Sequence, residues 1–178
     1  MTTLHLNEIY LSIQGESTFA GEPCVFLRTK GCSLRCRWCD TAYSFYEGDG
    51  QRLDEILQTV RSFHCSLVEM TGGEPLDQAA TPELLRRLCA EGYTVLLETG
   101  GHKSIAEVDP QVHVIMDVKC PGSGMQKRNR LANLELLRPH HQVKFVIADR
   151  FDYEWARAFL AEHQLAKRVK VLFSPVAG

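Results

Sequence analysis

Three cysteines, Cys32, Cys36 and Cys39, fall within eight residues of one another and are the strongest sign of chemistry in the sequence. A structural zinc site closes with four ligands, usually two pairs, and no second pair is present, although His64 and Cys65 could complete one. A four-iron cluster normally takes four thiolates, so three leave one iron open to a ligand that is not protein. The spacing favours such a cluster over zinc or a redox disulfide.

Positive charge lies between these cysteines, at Arg35 and Arg37. Because a nearby cation lowers the pKa of a thiol, we expect the two arginines to favour the thiolate form that binds metal. The remaining cysteines are scattered along the chain. Cys24, Cys65 and Cys89 lie in or beside apolar segments, which is typical of small buried side chains.

The elements that must position these cysteines alternate between two kinds. Short apolar runs rich in β-branched or aromatic residues predict strands over residues 24–30, 66–70, 94–99, 112–118, 143–148 and 169–173. Four stripes of apolar residues at helical spacing lie between them: Leu53, Ile56, Leu57 and Val60; Leu84, Leu85 and Leu88; Leu131, Leu134 and Leu137; Trp155, Ala158 and Phe159. Thr81-Pro82-Glu83 is a plausible start for the second helix. Residues 100–111 are too short a connection to predict a helix.

Most polar and glycine-rich segments directly follow a predicted strand. They include the cysteine segment, Thr71-Gly72-Gly73-Glu74-Pro75, Gly100-Gly101 and residues 117–124. Ligands of parallel α/β folds bind beyond the carboxyl ends of the strands. The sequence therefore predicts an α/β fold, an incomplete (βα)6 barrel of parallel strands with one site at their C-terminal ends. A doubly wound open sheet is the alternative.

Composition narrows the class of protein further. The 178 residues carry 20 Lys and Arg against 22 Asp and Glu, a net charge of −2, and we interpret residues 1–178 as a single domain. This balance argues against binding of nucleic acid or a membrane surface. The sequence shows no apolar run of transmembrane length and no signal-peptide pattern, so we expect a cytoplasmic protein. We also expect His140-His141 to lie in a solvated loop, and Arg86-Arg87 on a solvated helix face.

Taken together, the motifs resemble a known family. The C-x3-C-x2-C spacing after the first predicted strand, with an aromatic residue before the last cysteine, resembles the radical S-adenosylmethionine (SAM) superfamily. Leu11-Ser12-Ile13-Gln14-Gly15-Glu16, Cys39-Asp40-Thr41, the Thr71–Pro75 motif and Glu98-Thr99-Gly100-Gly101 are similar to the 7-carboxy-7-deazaguanine synthase family. The resemblance covers most of residues 6–176.

The resemblance implies a carbon–nitrogen lyase of queuosine and 7-deazapurine biosynthesis. Such an enzyme converts 6-carboxy-5,6,7,8-tetrahydropterin to 7-carboxy-7-deazaguanine with loss of ammonia. It uses a [4Fe-4S] cluster, SAM that is regenerated, and Mg²⁺. An external electron donor such as flavodoxin and a homodimeric state are implied by the same resemblance, as is a small-molecule substrate in place of nucleic acid or membrane.

The resemblance also assigns roles to individual residues. The cluster ligands would be Cys32, Cys36 and Cys39, and Thr41 would bind Mg²⁺. The residues that would contact SAM are Trp38, Cys39, Asp40, Gly72, Gly73, Glu74, Gly101, Asp117, Val118 and Lys119. Those that would contact the substrate are Ile13, Gln14, Gly15, Glu16, Arg28 and Thr99. No side chain is implied as catalytic, because the radical is generated on SAM.

Several of these roles have a physical reason. Gly72-Gly73 lacks Cβ atoms, so the backbone can approach a ligand closely, and Glu74 would accept from the amino group of SAM. Arg28 interrupts an apolar strand and needs a partner, which is either a substrate carboxylate or an internal Asp or Glu. The Glu16 carboxylate can accept two hydrogen bonds from an amino-pyrimidinone edge, to which Gln14 would add its amide.

Two other classes of function share part of this pattern. An activase that installs a glycyl radical on a large protein has the same cluster and Gly-Gly-Glu-Pro motifs, but the segment around Glu16, with Arg28 and Thr41, favours a small carboxylated heterocycle. An iron–sulfur carrier or a zinc module has no need of ligand motifs after the later strands. One departure from the family is the end of the sequence at Ser174-Pro175-Val176-Ala177-Gly178, where we expect the C-terminal segment to be short or missing.

Overall fold

The computed structural model describes residues 2–176, in which strands and helices alternate along most of the chain. The strands are β1 (Thr3–Ile13), β2 (Pro23–Thr29), β3 (Asp49–Arg52), β4 (Leu67–Gly72), β5 (Thr94–Thr99), β6 (His113–Asp117), β7 (Gln142–Ile147) and β8 (Lys170–Pro175). The α-helices are α1 (Leu53–Ser62), α2 (Thr81–Ala90) and α3 (Arg150–Glu162). Short 3-10 turns occupy much of the rest.

All eight strands join one sheet in the order β3-β1-β2-β4-β5-β6-β7-β8. The six strands from β2 through β8 in this order run parallel, whereas β1 is antiparallel to both β2 and β3. Within the described residues the outer strands β3 and β8 do not pair, so the barrel is not closed. The prediction of an incomplete parallel barrel is confirmed, and the six predicted strands are its six parallel members.

Alternation along each strand divides the sheet into two faces. One face, which includes Val25, Val68 and Val114, packs against the helices in the larger apolar core. The other face, which we call the lumen face, has a smaller apolar floor of Cys24, Phe26, Leu67, Leu96 and Ile115. Because successive side chains of a strand point to opposite faces, polar residues two positions beyond this floor line the space above it. These residues include Arg28, Glu69, Glu98, Asp117 and Lys144.

Local hydrogen bonds and a proline mark the first turns of α3 and α2. Asp149 precedes α3 and accepts a hydrogen bond from the Asp152 amide at 2.9 Å, which satisfies one free N–H of the first turn. α2 starts at Thr81 with proline in its first turn, but the Thr81 hydroxyl donates to the Pro75 carbonyl instead of capping the helix.

Three sequence-based expectations are wrong or incomplete. The leucine stripe around Leu134 forms a 3-10 helix, Leu131–Leu136, and no α-helix. The strands β1 and β3 were not predicted; they extend the sheet beyond the parallel strands. His141 is buried rather than solvated, with its ring edge-to-face against that of His140, and burial lowers its pKa to about 4.

Residues 100–111 contain no helix, as expected. Within residues 2–176, no helix combines the length and the apolar character that crossing a bilayer requires.

Candidate active site

A cavity of about 720 Å³ lies at the carboxyl ends of the parallel strands. Its wall combines the lumen face with loops that follow the strands. Most of the residues assigned by resemblance line it: Gln14, Gly15, Glu16, Arg28, Cys32, Cys36, Trp38, Cys39, Asp40, Thr41, Gly72, Gly73, Thr99, Asp117 and Lys119. Segments that are far apart in the sequence therefore meet around one space, at the edge of the sheet where the parallel-barrel topology predicts it.

The three clustered cysteines lie on this wall as free thiols, each partly exposed. Their loop is held by backbone hydrogen bonds, from the Gly31 amide to the Ser44 carbonyl at 2.8 Å and from the Arg37 amide to the Ser123 carbonyl at 3.1 Å. No three His, Cys, Asp or Glu side chains in residues 2–176 converge closely enough to hold a single metal ion. Because each thiolate of a four-iron cluster binds a different iron, this donor set fits a cluster better than a single ion.

A fourth protein ligand for zinc is not supplied by His64 or Cys65. Cys65 precedes β4, at the amino end of the strand, where its Sγ donates to the Pro23 carbonyl at 3.2 Å. The cavity lies at the opposite, carboxyl end of the same strand.

Burial, and not the neighbouring arginines, is the largest influence on the pKa values of Cys32 and Cys36. It raises the pKa of Cys32 to about 11 and also raises that of Cys36, where the opposing cation is Lys119. Arg35 points elsewhere, because its Nη1 donates to the Cys32 and Leu34 carbonyls and its guanidinium lies over the Phe45 ring. The expectation that Arg35 and Arg37 lower the thiol pKa values is therefore wrong.

The glycine turn after β4 packs directly on the start of the cysteine loop. The Glu74 amide donates to the Gly31 carbonyl at 2.8 Å, and a Cβ added at Gly73 would lie 1.8 Å from that same oxygen. Gly72 has φ +113°, and a Cβ added there would lie 2.4 Å from the Thr29 backbone nitrogen. Both glycines are thus required by the approach of two loops as well as by exposure to the cavity. We call residues 31–41 together with residues 72–74 the rim.

Side chains behind the rim strengthen this contact. Asp77 accepts hydrogen bonds from the Ser33 amide at 2.8 Å and from the Ser33 hydroxyl at 3.0 Å, and it pairs with Lys103 at 2.7 Å. The Ser33 hydroxyl also lies 2.7 Å from His102 Nε2. The cysteine loop is therefore fastened to the segments that follow both β4 and β5.

The Glu74 carboxylate is turned away from the cavity and is fully buried. It accepts from the Leu76 and Gly100 amides at 3.0 and 2.8 Å and from the Thr99 hydroxyl at 2.8 Å. Burial raises its pKa. Its hydrogen-bonding capacity is used to join the ends of β4 and β5, so the expected bond from Glu74 to SAM is not available in this arrangement.

Three further assigned residues are also absent from the described cavity wall. Val118 is buried in the core beneath the helices, and Gly101 lies against the Asp117 carbonyl with φ +71°. Ile13 is 60% exposed at the end of β1. Neighbours of these residues line the cavity, but the three residues themselves do not, because successive residues along a strand or turn point in different directions. Their contacts with SAM and substrate stay predictions.

Arg28 has an internal partner and also lines the cavity. Its Nε donates to Glu8 Oε1 at 2.7 Å and its Nη2 to the Tyr10 hydroxyl at 3.0 Å. Both partners come from β1, where Glu8 is the residue opposite Arg28 in the antiparallel register. Of the two partners left open by the sequence, an internal carboxylate is present, and it orients a guanidinium that still faces the cavity.

The loop after β1 is braced by Gln14. The side-chain oxygen of Gln14 accepts from the Glu16 amide at 2.8 Å, and its side-chain nitrogen donates to Glu69. The Glu16 carboxylate lies 2.5 Å from Lys144 Nζ, which is also 3.3 Å from Glu98 Oε1. Gln14 is thus a buried support for the loop, and Glu16 is the member of the loop with an exposed carboxylate.

Asp117 and Lys119 also line the cavity, and Asp117 is the neighbour of Lys144 in the sheet register. Lys119 Nζ donates to Asp117 Oδ2 at 2.6 Å, whereas Asp117 Oδ1 is buried without a hydrogen-bond partner among the described residues. A buried polar oxygen without a partner is unusual in a folded protein. It fits a site in which a ligand supplies the missing donor.

Four polar residues of the lumen face were missed by the sequence analysis: Glu69, Thr71, Glu98 and Lys144. Lys144 is a buried cation whose pKa is raised by the carboxylates of Glu98, Asp117 and Glu16, against the opposing effect of burial. A single charged residue inside an otherwise apolar strand could have identified Glu69 and Lys144 from the sequence. That signal was used only for Arg28.

Comparisons with known proteins agree with this geometry. A protein-family model described as "Radical SAM superfamily" matches residues 26–118. The 7-carboxy-7-deazaguanine synthase of Chlorobaculum tepidum is 46% identical, covering 98% of this chain and 81% of that protein. That of Koribacter versatilis is 47% identical, covering 97% and 77%. The crystal structure of QueE from Escherichia coli superimposes with a TM-score of 0.83 at 22% identity, covering 98% of this chain and 85% of that one, which shows a shared fold.

The family match begins within β2 and ends just after β6, and the two relatives extend the similarity over almost the whole chain. The alternative of a glycyl-radical activase is not favoured by these relatives. The chain belongs to the 7-carboxy-7-deazaguanine synthase family of the radical SAM superfamily.

Proposed function

We propose that this protein is a radical SAM lyase that converts 6-carboxy-5,6,7,8-tetrahydropterin to 7-carboxy-7-deazaguanine with loss of ammonia. The observation that carries the proposal is the meeting of three cluster thiols and a set of charged lumen side chains on one cavity, in a chain 46% identical to a 7-carboxy-7-deazaguanine synthase over nearly its whole length. A simple iron–sulfur carrier would not need that second set of groups.

Cys32, Cys36 and Cys39 are the proposed ligands of the [4Fe-4S] cluster. When bound, the cluster and SAM supply a 5′-deoxyadenosyl radical that removes a hydrogen atom from the substrate. The role of the chain's own residues is to hold both molecules in place and to exclude water. The rim does this with its backbone, because the Gly72-Gly73 turn lies beside the cysteine loop.

The residues proposed to hold SAM are those on the wall near the cluster thiols: Trp38, Asp40, Gly72, Gly73, Asp117 and Lys119. Lys119 supplies a cation for a carboxylate, and Asp117 supplies an unpartnered oxygen for a hydroxyl donor. Glu74, whose carboxylate is fully committed to other groups, supports this set from behind.

The substrate is proposed to lie over the lumen face. Arg28 provides a guanidinium for its carboxylate, and Glu16 provides a carboxylate for the amino-pyrimidinone edge. The Thr41 hydroxyl, which lies 3.8 Å from Cys39 Sγ, is the proposed protein ligand of Mg²⁺. One hydroxyl is too little to hold Mg²⁺ alone, so we expect metal binding to require the substrate carboxylate.

An external reductant such as flavodoxin, a homodimeric state and a cytoplasmic location belong to the same proposal. They are supported by membership of the family alone. Size-exclusion chromatography with light scattering tests the dimer, and turnover with reduced flavodoxin in place of a chemical reductant tests the electron donor.

The activity is tested with anaerobically reconstituted protein, SAM, Mg²⁺, a reductant and 6-carboxytetrahydropterin. We expect about one four-iron cluster per chain and a product with the mass of 7-carboxy-7-deazaguanine. Cys36→Ala should abolish cluster binding and turnover, whereas Cys89→Ala, at a cysteine outside the cavity wall, should retain both. Stoichiometric zinc without iron, or SAM cleavage without any deazaguanine product, would contradict the proposal.

A further inference from the structure

Glu69 is the most deeply buried carboxyl group on the cavity wall, with 2% of the residue exposed. It stands on β4 between two apolar neighbours in the register of the sheet, Phe26 on β2 and Leu96 on β5. The nearby thiol of Cys24 is neutral, because burial raises its pKa to about 12. Ionisation of a carboxyl group in such surroundings is costly unless a cation is available to it.

One cation faces this carboxyl group, and it is already shared. Lys144 Nζ lies 2.5 Å from Glu16 Oε2 and 3.3 Å from Glu98 Oε1. Asp117, the neighbour of Lys144 in the sheet register, also acts on this ammonium, although it pairs with Lys119 at 2.6 Å. Lys144 is therefore shared among several carboxyl groups and is not a dedicated partner of Glu69. Burial and the charge of Glu98 raise the pKa of Glu69 to about 9, although Lys144 and the hydrogen bond from Gln14 act in the other direction.

A neutral carboxyl group is a hydrogen-bond donor, and its proton has no protein acceptor here. Gln14 contacts Oε2 of Glu69 as a donor, through its side-chain nitrogen. The side-chain oxygen of Gln14 already accepts from the Glu16 amide. Among residues 2–176 no other group hydrogen-bonds the Glu69 carboxyl, which faces the cavity.

We propose that Glu69 is a specificity-determining residue, whose neutral carboxyl group donates a hydrogen bond to the carbonyl oxygen of the substrate's pyrimidinone ring. Glu16, as a carboxylate, accepts from the N–H groups of the same ring. The donor at Glu69 and the acceptor at Glu16 together match a ring edge that carries a carbonyl beside N–H groups. This inference rests on the proposed function, because it concerns how the same cavity recognises a pterin.

Two stable probes test the inference on reconstituted protein with SAM bound. The first, 6-carboxypterin, carries the ring carbonyl; the second, 2,4-diaminopteridine-6-carboxylate, carries an amino group in its place. Dissociation constants are measured by quenching of pteridine fluorescence. Wild-type protein should prefer the carbonyl probe by about tenfold, the effect of one hydrogen bond from a buried group.

Two variants and a control complete this experiment. Glu69→Met should bind the carbonyl probe about tenfold more weakly and lose the preference between probes. Glu69→Gln keeps a donor and should bind the carbonyl probe within about threefold of wild type. The matched control is Glu135→Gln, an exposed glutamate away from the cavity, which should behave as wild type.

The protonation state is measured independently of binding. Infrared difference spectra should show the C=O stretch of a protonated carboxylic acid at pH 7 that is missing from Glu69→Gln. As the pH rises through about 9, Glu69 loses its proton. The ratio of the Glu69→Gln to the wild-type dissociation constant should therefore fall, because ionisation of the probe itself affects both proteins equally.

The outcomes separate this inference from the proposed function. If wild type binds 6-carboxypterin and Glu69→Met binds it equally well with the same preference, the inference is wrong and the proposed function stands. If the infrared band is absent at pH 7, the inference is also wrong. If wild type binds SAM but neither pteridine, the proposed function fails and this inference fails with it.

Discussion

The rim and the lumen face bound the same cavity but are built in opposite ways. The rim depends on backbone: two glycines allow direct contact between loops, and the carboxylate of its last residue, Glu74, accepts hydrogen bonds from Thr99 and Gly100 at the end of β5. The lumen face depends on side chains, with Arg28, Glu69 and Lys144 projecting from separate strands. The rim is therefore suited to the cluster and SAM, which all radical SAM enzymes share. The lumen face is suited to one particular substrate.

This difference predicts how each region responds to substitution. A change in the rim should affect the cluster and SAM whatever the substrate is. A change on the lumen face should alter pterin recognition and leave SAM cleavage largely intact. The following substitutions test that division in order of decreasing expected effect.

Gly73→Ala should be the most disruptive change. The added Cβ would lie 1.8 Å from the Gly31 carbonyl oxygen, which is backbone and has no room to move without separating the loops. We expect a loss of about 3 kcal/mol or more in the free energy of unfolding and a loss of bound iron. Chemical denaturation and iron content measure the two effects.

The control for that substitution is Gly92→Ala. Gly92 also has a positive φ, +87°, but its Cβ would meet nothing within 4 Å. It should cost only about 1 kcal/mol, the effect of backbone strain. Equal effects at both glycines would show that the contact between the loops is unimportant.

Lys144→Met removes the one cation between Glu16 and Glu98. Leaving Glu98, Asp117 and Glu16 without this largely buried cation should destabilise the protein by about 3 kcal/mol at neutral pH. The loss should shrink in mildly acidic solution, where those carboxylates take up protons. Urea denaturation at several pH values measures this, with Lys127→Met, an exposed lysine outside the cavity wall, as the control.

Arg28→Ala should lower kcat/KM for carboxytetrahydropterin by about a hundredfold, because it removes the proposed partner of the substrate carboxylate. Uncoupled SAM cleavage should change much less. Glu8→Gln serves as the comparison, since it removes the internal partner of Arg28 and keeps the guanidinium. Equal losses of turnover and SAM cleavage in Arg28→Ala would contradict its assignment to the lumen face.

Glu69→Gln should give the smallest change, visible only as a function of pH. The pKa of Glu69 is raised in the folded protein, so folding retains a proton that the unfolded chain releases above its ordinary value of 4.5. Wild-type stability should therefore decline as the pH rises from that value toward about 9. The Gln variant should lack this slope in thermal denaturation, while Glu135→Gln keeps it.

The predictability of the molecule from its sequence follows the same division. The rim consists of two short continuous segments, residues 31–41 and 72–74. The cysteine spacing and the Gly72-Gly73 motif were therefore enough to locate it. The lumen face is assembled from single residues on separate strands. Glu69 and Lys144 are each one charged side chain in an apolar run, and only the register of the sheet places them together.

The fold shows a comparable limit of sequence patterns. The six parallel strands contain apolar runs because one face packs against the helices and the other carries the apolar floor of the cavity, and each was found within a few residues of its observed bounds. β1 joins the sheet antiparallel and β3 lies at its margin, and neither is such a continuous apolar run. The directions of individual side chains, such as those of Glu74 and Val118, depend on the backbone geometry of the turns at the strand ends. Residue spacing in the sequence does not predict that geometry.

The contact between Gly73 and the Gly31 carbonyl has a consequence for assembly of the enzyme. The thiol-bearing segment is joined to the turn after β4 by a main-chain hydrogen bond, from the Glu74 amide to the Gly31 carbonyl. The proposed cluster site and the proposed SAM site therefore share one backbone contact. Separation of β2 from β4 would therefore disrupt the proposed sites for the cluster and for SAM together.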